Sequence, residues 1–269
     1  MIRLAIRVRR EQAELVLAEL LELVPAGVEE VDAGGGVVEY GIYGAPGELP
    51  ALPDLRAAAR GALVEILTSE VADDWPERWR AYHRPVVVAD RLTVRPPWEA
   101  PASTPLEIVI DPGRAFGTGA HATTRLCLEL LLELDPAGNL IDLGCGSGVL
   151  AIAAARLGFA PVLALDNDPA ALEATKANAA VNGVEVEVRE FDLRSELLPA
   201  ARTVAANLLA PVLTAWANTL RLSPPRLIVS GVLVDEADRV ADAFVGCRLR
   251  ETRRLSDGGW AALLLASAQ

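Results

Sequence analysis

The chain has 269 residues, a formal net charge of −12, and 52% hydrophobic residues. This length allows two domains with packed cores, whereas the apolar runs are too short to cross a membrane. The negative charge argues against direct dependence on nucleic acid. The N-terminus lacks a secretory apolar segment, and the three scattered cysteines have neither disulfide nor metal-ligand spacing. We therefore expect a cytoplasmic protein without membrane contact and without a metal.

Residues 1–72 predict a small β-α-β-β-α-β unit, because short alternating apolar runs flank segments with helical periodicity. The predicted elements are a strand at 4–9, a helix at 10–24, two strands around the Gly34–Gly36 turn, a short helix near 54–60 and a strand at 62–68. Proline and glycine after residue 24 end the first helix. This order is typical of a ferredoxin-like α+β domain.

Residues 73–104 are rich in tryptophan and proline and predict a linker that packs against the domains it joins. Trp75, Trp79 and Trp98 are too many aromatic residues for a disordered tether. We expect them to contribute to an interdomain core.

Residues 105–269 alternate between strand and helix patterns, which predicts a mostly parallel sheet covered on both faces. The last two strands lie close together in sequence and predict an antiparallel hairpin. Seven strands of this kind have the layout of a Rossmann-like methyltransferase. The expected strands are 139–143, 161–166, 184–190, 203–208, 226–231, a β-prone run at 247–256, and 261–266.

The run "DLGCGSGVL" predicts a strand, a sharp turn and the start of a helix. Gly144, Gly146 and Gly148 allow the backbone to turn and to approach a ligand closely. Such a loop binds NAD, FAD or S-adenosylmethionine, so it does not identify the ligand by itself.

Two acidic residues at strand ends favour S-adenosylmethionine. Asp142 would repel a pyrophosphate but suits the ammonium and sulfonium groups of S-adenosylmethionine. Asp166, at the end of the next strand, is placed to accept hydrogen bonds from ribose hydroxyls, a role that NAD would use equally. The alternative is that both aspartates only cap turns.

A second glycine-containing run, "DPGRAFGTGAHATT", spans Asp111–Thr124 and lacks the Lys-Ser/Thr of a phosphate loop. A helix is expected to begin at Thr123 or Thr124, near the first glycine loop, with its N-terminus open to a ligand carboxylate. Each threonine either offers a hydroxyl to the ligand or acts as a simple N-cap. His121 is interpreted as a residue that orders the loop.

Asn207 stands at the end of the fourth predicted strand, in "AANLLA". Other amino-group methyltransferases carry an Asn/Asp-Pro-Pro-Tyr/Phe loop there, whose oxygen atoms aim the amine. Asn207 and the Leu208 carbonyl could act in this way, although the Pro-Pro-Tyr is missing; the alternative is a turn asparagine. Phe116 and Trp260 are candidate walls for a methylammonium group through cation–π contact, or else packing residues.

Together these motifs resemble the ribosomal protein L11 methyltransferase (PrmA) family. "DPGRAFGTGAHATT", "DLGCGSGVLAIAA", "LDNDPAALEATKANAAVNGV", "NLLA" and "SGVL" follow in the order of that family, and "DWPERWRAYHRP" with "PPW" resembles its linker. The resemblance implies contacts to S-adenosylmethionine at Thr123, Gly144, Asp166 and Asn207. It implies trimethylation of lysine and N-terminal amino groups of a basic large-subunit ribosomal protein, presented by residues 1–72, with 105–269 as the catalytic domain.

Three other functions remain compatible with parts of the sequence. A nicotinamide-dependent oxidoreductase would share the glycine loop and Asp166, but would not explain the Asp111–Thr124 run, Asn207 or the closing hairpin. A methyltransferase-like module without activity is a second alternative, although no expected motif is missing. The third is a methyltransferase for another protein lysine or a small molecule.

Overall fold

The structure is a computed structural model that describes residues 2–24, 28–44, 49–70, 83–112 and 119–267. The chain divides into two compact units, Met1–Tyr82 and His83–Gln269. None of the helices in the described ranges has the length and apolar character that a membrane crossing requires.

In its described residues, the smaller unit forms a four-stranded antiparallel sheet with two α-helices. Its strands are β1 (Ile2–Arg9), β2 (Glu29–Gly34), β3 (Val37–Gly44) and β4 (Leu63–Glu70), and its helices are α1 (Ala13–Leu23) and α2 (Leu52–Ala59). The strand order is β2-β3-β1-β4, with every neighbouring pair antiparallel. This connectivity and strand order are those of a ferredoxin-like fold.

The alternation of apolar and charged side chains along β1 distinguishes the two faces of that sheet. Leu4, Ile6 and Val8 are buried, whereas Arg3 and Arg7 lie on the opposite face, on which the small Ala5 between them is also covered. Because successive side chains of a strand point to opposite faces, this pattern places the core on one side of the sheet.

The larger unit begins with a small three-stranded sheet, and residues 83–104 are not a linker. Strand β5 (Val86–Val88) is antiparallel to β6 (Leu92–Arg95), which is parallel to β7 (Leu106–Val109). Strands of three or four residues between prolines are too short to show a period, which explains the difference from the sequence-based prediction. Trp98 is half-buried with its ring centroid 6.4 Å from that of His83, whereas Trp75 and Trp79 lie outside the described residues.

The main sheet of this unit confirms the predicted Rossmann-like layout. Its strand order is β10-β9-β8-β11-β12-β14-β13; the first five are parallel, and β14 is antiparallel to both β12 and β13. Its strands are β8 (Leu140–Leu143), β9 (Val162–Asp166), β10 (Glu187–Glu190), β11 (Thr203–Asn207), β12 (Arg226–Leu233), β13 (Leu249–Asp257) and β14 (Trp260–Ser267). The helices of the unit are α3 (Ala122–Glu133), α4 (Val149–Leu157), α5 (Pro169–Asn182), α6 (Ala210–Thr219) and α7 (Ala237–Val245).

The parallel strands position the candidate site. Their carboxyl ends share one edge of the sheet, where ligands bind in open α/β folds. Leu143, Asp166 and Asn207 end β8, β9 and β11, which are neighbours around the point where the strand order reverses.

Candidate functional site

The turn between β8 and α4 depends on its three glycines. Gly144, Gly146 and Gly148 have φ values of 75°, 53° and 82°, in the left-handed region that disfavours other residues. A Cβ on Gly148 would lie 2.8 Å from the Thr175 methyl carbon. The loop therefore makes the sharp turn that the sequence predicts, and Gly148 in addition allows a close approach to α5.

The carboxylate of Asp166 fixes the same loop from the neighbouring strand. Its Oδ2 accepts a hydrogen bond from the Gly146 N–H at 3.0 Å, and its Oδ1 accepts one from the Asp168 N–H at 3.0 Å. An ionised carboxylate oxygen can accept more than one donor. Asp166 thus orders the glycine loop and still has acceptor capacity for ligand hydroxyls.

Asp142 lies under the loop and is not open to a ligand. Its side chain is 1% exposed, and its Oδ2 accepts the Ala151 N–H in the first turn of α4 at 2.9 Å. Burial raises the pKa of this carboxyl to about 7, with a further contribution from Asp166. Within the described part of the chain, its Oδ1 has no hydrogen-bond partner. The sequence analysis places Asp142 against the charges of S-adenosylmethionine, whereas the structure shows it supporting the helix start.

The two glycine-containing runs are linked through one asparagine of α5. Asn178 accepts a hydrogen bond from the Asp111 N–H at 3.0 Å and donates one to the Ser147 carbonyl at 2.9 Å. Four residues further on, Asn182 pairs with both the N–H and the C=O of Val109, at 2.8 and 2.7 Å. Helix α5 therefore holds the start of the Asp111–Thr124 run beside the glycine loop.

Asn178 and Asn182 are not among the site residues predicted from the sequence. The sequence does contain a signal for them, because two asparagines four residues apart in a predicted helix lie on the same helix face. Both side chains are nearly buried. Buried amides must find hydrogen-bond partners, and here the partners are backbone groups of strand β7 and of the two glycine-containing runs.

The N-cap of α3 is His121, not Thr123 or Thr124. His121 accepts the Thr123 N–H, and its Nδ1 lies 2.8 Å from the Thr123 hydroxyl. Burial, and then the charge of Arg125, lowers the pKa of His121 to about 4, so the imidazole is neutral at pH 7. This arrangement agrees with the expected loop-ordering role of His121. The Thr123 hydroxyl, which the resemblance assigns to the cofactor, is here within hydrogen-bond distance of the His121 ring.

Trp260 is a packing residue in this structure. Its side chain is 4% exposed, and its ring centroid lies 5.1 Å from that of His121 in an edge-on arrangement. A buried ring of this kind cannot form the open wall considered from the sequence. Phe116, the other aromatic candidate, lies outside the described residues.

Asn207 presents its oxygen at the carboxyl edge of the sheet. Its Nδ2 donates to the Thr124 hydroxyl at 3.3 Å, which orients the amide. Within the described residues, neither the Asn207 Oδ1 nor the Leu208 carbonyl receives a hydrogen bond. Leu208 also packs against the glycine loop, because a Cβ on Gly144 would lie 2.5 Å from Leu208 Cδ2. The Leu208 side chain therefore lies against the loop, and both acceptors stand at the end of β11, the strand next to β8.

No metal centre is found in the part of the chain that the structure describes. No three or more histidine, cysteine or acidic side chains in these ranges are grouped so that they could hold an ion.

The sheet order, the closing hairpin and the glycine loop after β8 together define a Rossmann-like methyltransferase. A family model described as "Ribosomal protein L11 methyltransferase (PrmA)" matches residues 56–267. The chain belongs to this family. It uses S-adenosylmethionine as the methyl donor, which decides against the nicotinamide alternative.

Individual relatives agree with the family model. A ribosomal protein L11 methyltransferase of Symbiobacterium thermophilum is 43% identical over 220 residues, 79% of this chain and 72% of the relative. That of Geobacter metallireducens is 41% identical over 204 residues, 73% of this chain and 67% of the relative. The crystal structure of a ribosomal protein L11 methylase from Lactobacillus delbrueckii subsp. bulgaricus superimposes with a TM-score of 0.63 at 27% identity, covering 70% of this chain and all of that one.

Proposed function

We propose that this protein methylates amino groups of ribosomal protein L11, with Asn207 and Leu208 positioning the acceptor nitrogen. The observation that carries the proposal is the pair of acceptors, Asn207 Oδ1 and the Leu208 carbonyl, which receive no hydrogen bond within the described residues and stand at the end of β11, next to the strand that leads into the glycine loop. The identity of the substrate rests on the relatives, which are named for methylation of this ribosomal protein.

The residues around the glycine loop fit S-adenosylmethionine. Gly144–Gly148 present backbone without side chains, and Asp166 keeps acceptor capacity for two ribose hydroxyls. The unpartnered Oδ1 of buried Asp142 leaves room for a donor such as an ordered water beneath the ligand. Direct contacts from Asp166, Thr123, Gly144 and Asn207 stay predictions.

The chemistry requires an oriented, deprotonated amine more than a strong acid or base. S-adenosylmethionine supplies a methyl group on a sulfonium whose departure yields a neutral thioether, so no residue has to protonate the leaving group. A free lysine has a pKa near ~10.4 and must lose a proton to become nucleophilic. Hydrogen bonds from its N–H groups to Asn207 Oδ1 and the Leu208 carbonyl would aim the lone pair.

The finer proposal is that lysine and N-terminal amino groups are methylated, up to the trimethylated state. A net charge of −12 favours encounter with a basic substrate such as a ribosomal protein. We propose that residues 1–72 recognise this substrate and that 105–269 catalyse the reaction, with the three-stranded sheet of residues 86–109 belonging to the catalytic unit.

The direct test is incubation of the protein with S-adenosylmethionine and unmethylated L11, followed by mass spectrometry of the intact and digested substrate. Successive mass increases of one, two and three methyl groups on lysines or the N-terminus are expected. Methyl transfer confined to other side chains would contradict the amine assignment, and no transfer to L11 would contradict the substrate.

Asn207→Ala tests the positioning role within this assay. Loss of the amide oxygen should lower kcat by about a hundredfold, whereas the Kd for S-adenosylmethionine should change much less. The matched control is Asn218→Ala, because Asn218 is an exposed asparagine of α6 whose side chain only donates to Thr214 O. If the single-turnover rate of Asn207→Ala equals that of the control, Asn207 does not position the acceptor and is only a turn residue.

A further inference from the structure

A bulge in β12 lies directly against the turn that carries the two acceptors. In the pairing of β12 with β14, Val229 lies opposite Leu263 and Val232 opposite Ala261, so Ser230 and Gly231 share a single opposing position. Gly231 has a φ of 82°. A bulge of this kind bends its strand and redirects the groups around it, and such bulges are common beside active sites.

The backbone of Leu208 occupies the space that a side chain on Gly231 would fill. A Cβ at Gly231 would lie 2.5 Å from the Leu208 carbonyl oxygen, 2.8 Å from its carbon and 3.1 Å from its nitrogen. Such contacts are far below van der Waals distance, and backbone cannot rotate away as a side-chain tip can. Only glycine at this position allows the carbonyl of Leu208 to lie where it does.

The other half of the bulge ties the same turn to the sheet. The Ser230 carbonyl accepts the Leu208 N–H at 3.0 Å, and the buried Ser230 hydroxyl donates to the Ala261 carbonyl at 2.9 Å. Leu208 is therefore fixed at its nitrogen by Ser230 and limited at its carbonyl by Gly231.

We propose that the Ser230–Gly231 bulge is a positioning element for methyl transfer, with Gly231 determining where the Leu208 carbonyl meets the acceptor amine. The inference rests on the proposed function, in which that carbonyl is one of the two acceptors. In this role the bulge acts through Leu208, the residue that both Ser230 and Gly231 contact. A displacement of a positioned group by about 1 Å is enough to lower a rate by about a hundredfold.

The experiment compares Gly231→Ala with Gly183→Ala. Gly183 also has a positive φ, 61°, but it ends α5 and a Cβ there would meet nothing within 4 Å. Both variants impose similar backbone strain, so both should lower Tm. Only Gly231→Ala should lower kcat for L11, by about ten- to a hundredfold. Its Kd for S-adenosylmethionine should stay within about threefold of wild type.

Equal kcat in the folded Gly231→Ala and Gly183→Ala variants would overturn the inference. If Gly231→Ala does not fold, Ser230→Ala provides the second test, because it removes the hydroxyl that ties the bulge to the Ala261 carbonyl and to the Cys127 thiol; an unchanged kcat there would also overturn the inference. A wild-type rate in Asn207→Ala would contradict the proposed function instead. If kcat is low in Asn207→Ala but equal to wild type in Gly231→Ala, only the role of the bulge is contradicted.

Discussion

At the scale of single residues, Asp142 combines complete burial with an ionisable group. Its pKa is raised to about 7, chiefly by burial, whereas an aspartate in an unfolded chain titrates near ~3.9. Between about pH 4 and pH 7 the unfolded chain has released a proton that the folded protein keeps. The contribution of Asp142 to the free energy of unfolding therefore falls as the pH rises through this window, and is constant above it.

Asp142→Asn should remove this dependence on pH. The free energy of unfolding of the variant, minus that of wild type, should rise between about pH 4 and pH 7 by roughly 2–4 kcal/mol, and then level off. Denaturant titrations across this range provide the measurement. Asp242→Asn, a change at an exposed aspartate of α7, is the matched control. A constant difference between Asp142→Asn and wild type from pH 4 to pH 7 would show that Asp142 is ionised throughout.

Asp142 and Asn207 also show how far the sequence predicts individual site residues. Their positions near strand ends follow from the strand and turn patterns, and in the structure Asn207 ends β11 whereas Asp142 is the last residue but one of β8. The direction in which a side chain points does not follow from such patterns. Asp142 is enclosed because it lies within the buried strand β8, whereas Asn207 is turned by the Thr124 hydroxyl, 83 residues away in sequence.

At the scale of secondary-structure elements, α5 connects two loops through buried asparagines. Asn178 accepts a hydrogen bond from the Asp111 N–H and donates one to the carbonyl of the glycine-loop residue Ser147. Asn182 instead pairs with the backbone of Val109 in β7 and donates to the Asn178 carbonyl of its own helix. Both asparagines stabilise the contact of α5 with its neighbours. Only Asn178 bears directly on the loop expected to hold the cofactor.

Asn178→Ala should therefore affect both stability and cofactor binding. It removes one part-buried hydrogen bond, from the Asp111 N–H, and one buried hydrogen bond, to the Ser147 carbonyl, which costs about 2–4 kcal/mol of unfolding free energy. The Kd for S-adenosylmethionine should rise by about tenfold, since the glycine loop loses an anchor. Asn182→Ala is the control, with a similar loss of stability and little change in Kd. Calorimetry that finds the same Kd in both variants would contradict a special role for Asn178.

The elements themselves were predictable where their periodicity was long enough. The 11-residue α1 and the buried strands of the main sheet follow from their apolar patterns. Strands β5 and β6, with three and four residues, were not predicted because prolines and the short length hide their alternation. Their pairing depends on β7, a contact that no local pattern in residues 83–104 encodes.

At the scale of the whole molecule, the distribution of charge in the smaller unit shows which of its acidic groups could attract a basic substrate. Residues 1–72 carry six arginines and twelve acidic residues, a net charge of −6. On one sheet face Arg3 pairs with Glu29 and Glu39, and Arg7 pairs with Glu39 and Glu65. This cluster of two arginines and three glutamates has a net charge of −1. The other four arginines and nine acidic residues carry −5, so attraction of a basic protein depends mainly on groups outside the cluster.

A chain shortened to begin at His83 tests whether the smaller unit recognises the substrate. The larger unit, which starts at this residue, contains the glycine loop, Asp166 and Asn207, so it should bind S-adenosylmethionine with a Kd close to that of the full chain. Its kcat/KM for L11 should fall by about tenfold or more, and should depend less on salt, because the steering charge has been removed. The measurements are kcat/KM at low and high ionic strength, with calorimetric Kd values in parallel to verify that the shortened chain is folded. If the shortened chain binds the cofactor normally and shows the same kcat/KM as the full chain at both salt concentrations, residues 1–82 have no part in recognition.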